Sequence, residues 1–338
     1  MTSSTPLPLA LDDARALRSA GDWQALAARG DQLAVDVLLG EPELGLHVAV
    51  ARRKVGQARR ALELAGALEP EARRRGDRWL LTDVVTLIGV ALWESGRVDE
   101  AEDRFAELLE AATAGQNEEA SANAANNLGV LANVRGRRDL ALTWYQRALA
   151  AHQRQGNVRG LAQTHHNLGI SYRDLGFDSE ADRHFARAIE FGQELETDEL
   201  VAMAEIERAM LRVRRGDAEL GGEMARRAGE RFQRLGSPVG AADAQRVMAA
   251  AERERGRMDE ALALLDAALA TSLNHDDPVL RAEVQRDRGL LLRDQGSIGA
   301  ARQALADSIE RFALIGAAAE AEALRAILAE LAADTTTS

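Results

Sequence analysis

The sequence predicts an all-α solenoid of stacked helix pairs, and two residue series on one period predict it. Glycines recur every forty residues as Gly56, Gly96, Gly136, Gly176, Gly216, Gly256 and Gly296, among 28 glycines in 338 residues. On the same period stand Asp77, Asn117, Asn157, Thr197, Ser237 and Asp277. Each of these six offers a side-chain oxygen that can accept an orphan N–H at a helix start. Composition agrees, since the chain is 46% hydrophobic but only 4% aromatic, with alanine and leucine supplying most of the apolar mass. That balance favours closely stacked helices over strands, which prefer β-branched and aromatic residues. Six prolines leave room for long helices. Units of fixed period pack on their neighbours only, so 338 residues need not divide into two globular domains.

Taken in order, residues 1–10 read as a flexible leader and residues 11–70 as irregular N-terminal helical pairs. Leu11–Ala20 forms one segment, Gly21-Asp22 breaks it, and Trp23 to about Leu39 forms the next. Glu41-Pro42 marks a boundary with Pro42 in the first turn, where its missing N–H costs little. Leu44–Val55 and Gln57–Leu68 make a second pair, broken at Glu69-Pro70. Residues 77–316 then give six regular units of forty residues. In each, helix A follows the capping residue, a tight turn falls at the glycine, and helix B completes the pair. Pro238 and Pro278 follow two of the caps at the position where proline is best tolerated. Residues 317–331 form a last helix, with Glu320, Glu322, Arg325 and Glu330 giving it a polar side suited to a cap. Residues 332–338 read as a frayed tail.

The helices interlock through size. Helix A carries a small residue at Gly89, Gly129, Gly169, Ala209, Ala249 and Gly289. Helix B carries another at Ala101, Ala141, Ala181, Gly221, Ala261 and Ala301, followed four residues on by a filler: Phe105, Tyr145, Phe185, Ala225, Leu265 and Leu305. Small against large at these spacings lays one stripe of helix B on its own helix A.

The pairs Asn126-Asn127-Leu128-Gly129 and His166-Asn167-Leu168-Gly169, with the later alanine and aromatic positions, resemble the tetratricopeptide repeat. The forty-residue period is similar to the longer version in kinesin light chains and bacterial peptide-sensing regulators. The resemblance covers roughly Leu11 to Leu331 and is firmest from Asp77 to Phe312. It departs in the unit Val201–Gly216, where Arg208 and Arg212 stand at positions the family makes apolar, which predicts a rotated helix A there. The resemblance implies a right-handed superhelix of helix-turn-helix repeats, and a concave groove lined by successive A helices. On this resemblance the groove positions are Asp83, Thr86, Val90 and Trp93 in the first regular unit. In the next they are Asn123, Asn126, Val130 and Asn133, and in the third Gln163, His166, Ile170 and Arg173.

Chemistry that would mark an enzyme is missing from the sequence. There is no phosphate-binding glycine motif and no H-E-x-x-H. The adjacent His165 and His166 point about 100° apart on a helix, which prevents shared coordination of one metal. No cysteine occurs, so disulfides and thiolate sites are absent. No cofactor or metal is expected. The formal charge of -12 argues against nucleic acid or an anionic membrane as main partner. Neither a secretory signal nor a spanning apolar run is present, which predicts a cytoplasmic protein.

Asparagine is a mediocre residue inside a helix because its amide competes for backbone bonds. Asn123, Asn126, Asn127, Asn133 and Asn167 therefore ask for a use. Their carboxamides match the N–H and C=O of an extended peptide; alternatively they satisfy neighbouring helix ends or face water. Further along, Asp243, Arg246, Arg253 and Glu254, then Glu283, Arg286, Arg293 and Asp294, give a mixed-charge lining. Those arginines can grip carboxylates of a ligand or pair across stacked helices. Between them Met203, Ile206, Met210 and Val213 form an apolar stripe, either core or a place for a partner's side chains. The expected function is a non-catalytic scaffold binding another protein or peptide along the groove. The alternatives are a self-associating assembly protein, acting as a homo-oligomer, and an enzyme built on the helical array.

Overall fold

The computed structural model describes residues 9–275 and 277–334. The first eight residues of the expected leader and the last four of the expected tail lie outside the described residues. Among the described residues there are eighteen α-helices and no strand. They are α1 (Leu11–Ser19), α2 (Trp23–Gly30), α3 (Val35–Gly40), α4 (Pro42–Lys54), α5 (Ala58–Arg75) and α6 (Arg78–Glu94). Next come α7 (Val98–Ala114), α8 (Glu118–Val134), α9 (Arg138–Gln155), α10 (Val158–Asp174), α11 (Asp178–Glu194) and α12 (Asp198–Arg214). The series ends with α13 (Ala218–Arg234), α14 (Pro238–Glu254), α15 (Met258–Asn274), α16 (Pro278–Asp294), α17 (Ile298–Leu314) and α18 (Ala318–Asp334). Two compact units divide the chain between Ala111 and Ala112.

Local chemistry sets the helix ends. Asp77, Asn117, Asn157 and Asp277 each accept a backbone N–H two or three residues on. Thr197 and Ser237 make no such side-chain bond. At the A–B turns the residue after the glycine donates its N–H five residues back, as Arg137 does to the Ala132 carbonyl at 2.8 Å. This closure ends a helix cleanly and requires a left-handed residue, supplied by Gly136 at φ 72°.

In the N-terminal unit two expectations are corrected. The segment from Trp23 to Leu39 is two helices, α2 and α3, because the chain turns at Asp31. Its carboxylate is gripped by Arg52 at 3.0 Å and Arg60 at 2.6 Å, while Gly30 lies so close to Val48 that a Cβ would stand 2.5 Å from Cγ1. Helix α5 does not stop at Pro70 but runs on to Arg75. The backbone bond that Pro70 cannot make would have gone to Gly66, which is exposed. Beyond it, Glu69 and Glu71 pair with Arg73, Arg74 and Arg75 within the last turn.

In the unit from Ala112 onward, the B helices α9, α11 and α17 fill glycine gaps on the A helices α8, α10 and α16. A Cβ on Gly129 would meet the Tyr145 ring at 2.5 Å, and one on Gly169 the Phe185 ring at 2.5 Å. Helix α12 keeps this register, since Ala209 and Ile206 are buried. Arg208 reflects no rotation: it reaches the preceding B helix, where its Nε donates to Asp182 at 2.8 Å.

Candidate functional site

Asn123, Asn126, Asn127, Val130 and Asn133 follow one another at helical spacing and share one side of α8. The next A helix, α10, lies against this side. Asn167 Nδ2 donates to Asn126 Oδ1 at 3.2 Å, and Thr164 Oγ1 donates to the same oxygen at 3.3 Å. Ser171 Oγ donates to Asn133 Oδ1 at 2.9 Å, while Asn133 Nδ2 donates to Asp174 at 3.4 Å. Partners therefore stand 41 or 38 residues apart. Each A helix meets its successor one residue beyond the repeat period, or two short of it. The same offset returns where Arg246 donates to Asp287 at 3.2 Å and where Arg253 donates to Asp294.

Charge increases along the stripe. Arg173 on α10 pairs with Glu207 on α12. Arg246 on α14 is 6% exposed and lies 2.9 Å from Asp243, 3.5 Å from Glu283 and 3.2 Å from Asp287. Arg286 reaches Asp287 at 2.8 Å, and Arg293 reaches Asp294 at 2.9 Å. These side chains face one another across the stack. Burial works against the charge on Arg173, yet Glu207, Asp174 and even Glu283, three A helices further on, raise its pKa. Charged groups on A helices that are not neighbours in the stack thus act on one another. Burial also opposes the charge of Asp287, but Arg286 and Arg246 outweigh it and hold its carboxyl below the usual range. For Asp243 burial wins over Arg246, with Glu207 adding to it, and the carboxyl is pushed up.

A family profile described as tetratricopeptide repeat matches residues 80–154 and 120–194. The stretch from residue 80 to residue 194 therefore consists of tetratricopeptide repeats. Solved structures share the fold. A Rap protein complexed with competence and sporulation factor superposes at TM-score 0.62 and 15% identity, covering 97% of this chain and 98% of that one. Cut9–Hcn1 of the APC/C hetero-tetramer gives 0.61 at 17% identity, covering 88% of this chain and 52% of that one. NprR in complex with its cognate peptide NprX gives 0.58 at 14% identity, covering 81% and 82%. No curated protein matches in sequence.

Along the helical array, the predicted groove residues separate by what holds them. Asn126, Asn133 and Asn167 are bonded across α8 and α10, and Arg173, Arg246, Arg253, Arg286 and Arg293 are paired with carboxylates. Val130 and Ile170 pack sideways against the clusters around Tyr145 and Phe185. Ile206 and Val213 are buried, Met210 packs beside the former, and Met203 is 38% exposed. Asn123 and Asn127 are half-buried and their side chains make no hydrogen bond among the described residues, and Gln163 is exposed. His166 has its Nδ1 buried without a partner. Burial lowers its pKa against the pull of Glu207, so the ring is neutral near pH 7. His165 turns away to α11, where its Nδ1 lies 2.9 Å from Nδ1 of His184.

Thr164 and Ser171, buried between α8 and α10, and Glu207 and Asp287 bond to predicted groove residues and escape a reading by equivalent positions. The sign that finds them is pairing at the period plus one or minus two. Among the described residues, no three His, Asp or Glu side chains gather to hold a metal ion, and no helix is long and apolar enough to cross a membrane.

Proposed function

We propose that this protein is a non-catalytic cytoplasmic scaffold whose inner A-helix face receives an extended peptide or segment of another protein. One observation carries the reading. On a face where most polar side chains are bonded to the next helix, Asn123 and Asn127 stay half-buried with donors and acceptors unused. Beside them Asn126 keeps its Nδ2 and Asn167 its Oδ1, since their mutual bond uses only the other atom of each amide. These groups match the alternating N–H and C=O of an extended backbone. Arginines already paired with carboxylates contribute shape and field more than direct grip. Occupants of this kind fit the fold: the Rap protein is complexed with competence and sporulation factor and NprR with its cognate peptide.

The test separates free from bonded asparagines. Partners captured by the wild-type chain from its native lysate are compared with those held by Asn123→Ala/Asn127→Ala and by Asn126→Ala/Asn167→Ala. The first variant is expected to lose the partner while unfolding at the wild-type temperature. The second loses stability as well. Full retention of the partner by the first variant contradicts the proposal.

A further inference from the structure

The last helix returns to the beginning of the unit that starts at Ala112. Glu320 on α18 lies 3.4 Å from Arg138 at the start of α9, 182 residues earlier. Ala319 stands over the α8–α9 turn, 3.0 Å from where a Cβ on Gly136 would be. Val134, at the end of α8, packs against the apolar cluster that α18 shares with α17.

The two sides of α18 are held unequally. Toward α17 it buries Ala321, Leu324 and Leu331 in a continuous apolar cluster. Toward the α8–α9 turn α18 meets Val134, Gly136 and Arg138, and its ion pair with Arg138 is longer than the 2.7–2.9 Å usual for charged partners. Arg138 Nε and Glu320 Oε2 are both buried there without a hydrogen-bond partner. Desolvated polar atoms left unbonded oppose closure, while the charge attraction and the glycine-permitted contact favour it. Opening this joint breaks no repeat-to-repeat core, because small rotations spread over the intervening helix pairs suffice.

We propose that α18 is a releasable latch: it closes the repeat coil on the α8–α9 turn, and its release opens the inner face to an occupant from the side. Admission of an occupant rests on the binding function proposed above; the latch itself does not. Closed, the coil takes an extended chain only by its end. Open, it takes an internal segment of a larger protein.

The chain has no cysteine, so two engineered thiols label cleanly. With dyes on Leu140→Cys and Ala323→Cys, single-molecule energy transfer reads the joint directly. Arg138→Glu and Glu320→Arg alone are each expected to lower the closed fraction at least threefold, and 1 M salt to lower it in the wild type. The charge-swapped double variant restores closure, with circular dichroism checking that every variant is folded. A transfer distribution unchanged by either single substitution and by salt overturns the latch, as does a double variant no more closed than the singles. Binding retained in Asn123→Ala/Asn127→Ala with normal latch behaviour overturns the binding proposal alone, and binding lost in that variant with a joint insensitive to the charge changes overturns the latch alone.

Discussion

Backbone strain singles out two residues. Gln116 and Glu196 hold φ of 54° and 52° at the B–A turn, where other units place Gly156, Gly236 and Gly316. A side chain in the left-handed region costs about 1–2 kcal/mol. Glu196→Gly is therefore expected to stabilise the protein by about 1 kcal/mol, less the added freedom of the unfolded chain, as measured by denaturant unfolding. Gly129 poses the opposite case. Gly129→Val drives methyl groups into the Tyr145 ring and should cost about 1–3 kcal/mol. Adding Tyr145→Ala should cost less than the two changes summed, because buried Ala209 and Ala225 already share a small-against-small core in a later unit. His165 sets a pH dependence. Burial first, then the charges of His184 and Arg187, lower its pKa from 6.5 to about 4. The folded state resists protonation that the unfolded chain accepts, so this contribution is complete above pH 6.5 and drains as pH falls toward 4. His165→Phe should flatten the fall in unfolding temperature across that window.

Between helices, the decisive relation is the offset at which neighbours meet. Arg246 holds Asp243 of its own helix and Glu283 and Asp287 of the next. Arg246→Met leaves those crowded carboxylates without their cation, and should cost about 3–5 kcal/mol in chemical denaturation. Pairing of a glycine with an aromatic sixteen residues on was legible in the sequence, because both lie in one unit and only their volumes must match. The bonds of Asn126 to Thr164 and Asn167 were not legible. They depend on how far one unit is turned relative to the next, which no residue within a unit states. Pro70 misled for a related reason: a proline reads as a helix stop, but an exposed carbonyl one turn earlier and a well-paired last turn let α5 continue. Arg208 and Arg212 read as a rotated helix because the sequence does not show that Asp182 waits on the preceding one.

At the scale of the molecule, the sequence reveals the period but not where the coil ends up. The meeting of α18 with the α8–α9 turn is the sum of small rotations over successive pairs, so nothing near Arg138 or Glu320 announces it. The formal net charge is -12, and the A-helix face carries a graded lining. Neutral amides lie at the α8 end and paired charges toward α16. The central claim is that the amide end binds an extended chain. The most direct measurement is isothermal titration of peptides selected from a random library against the wild-type protein, repeated on Asn123→Ala/Asn127→Ala. Saturable binding at one site is expected, weakened at least tenfold by the double substitution with the fold intact. Selected peptides that bind the variant and the wild type equally would contradict it.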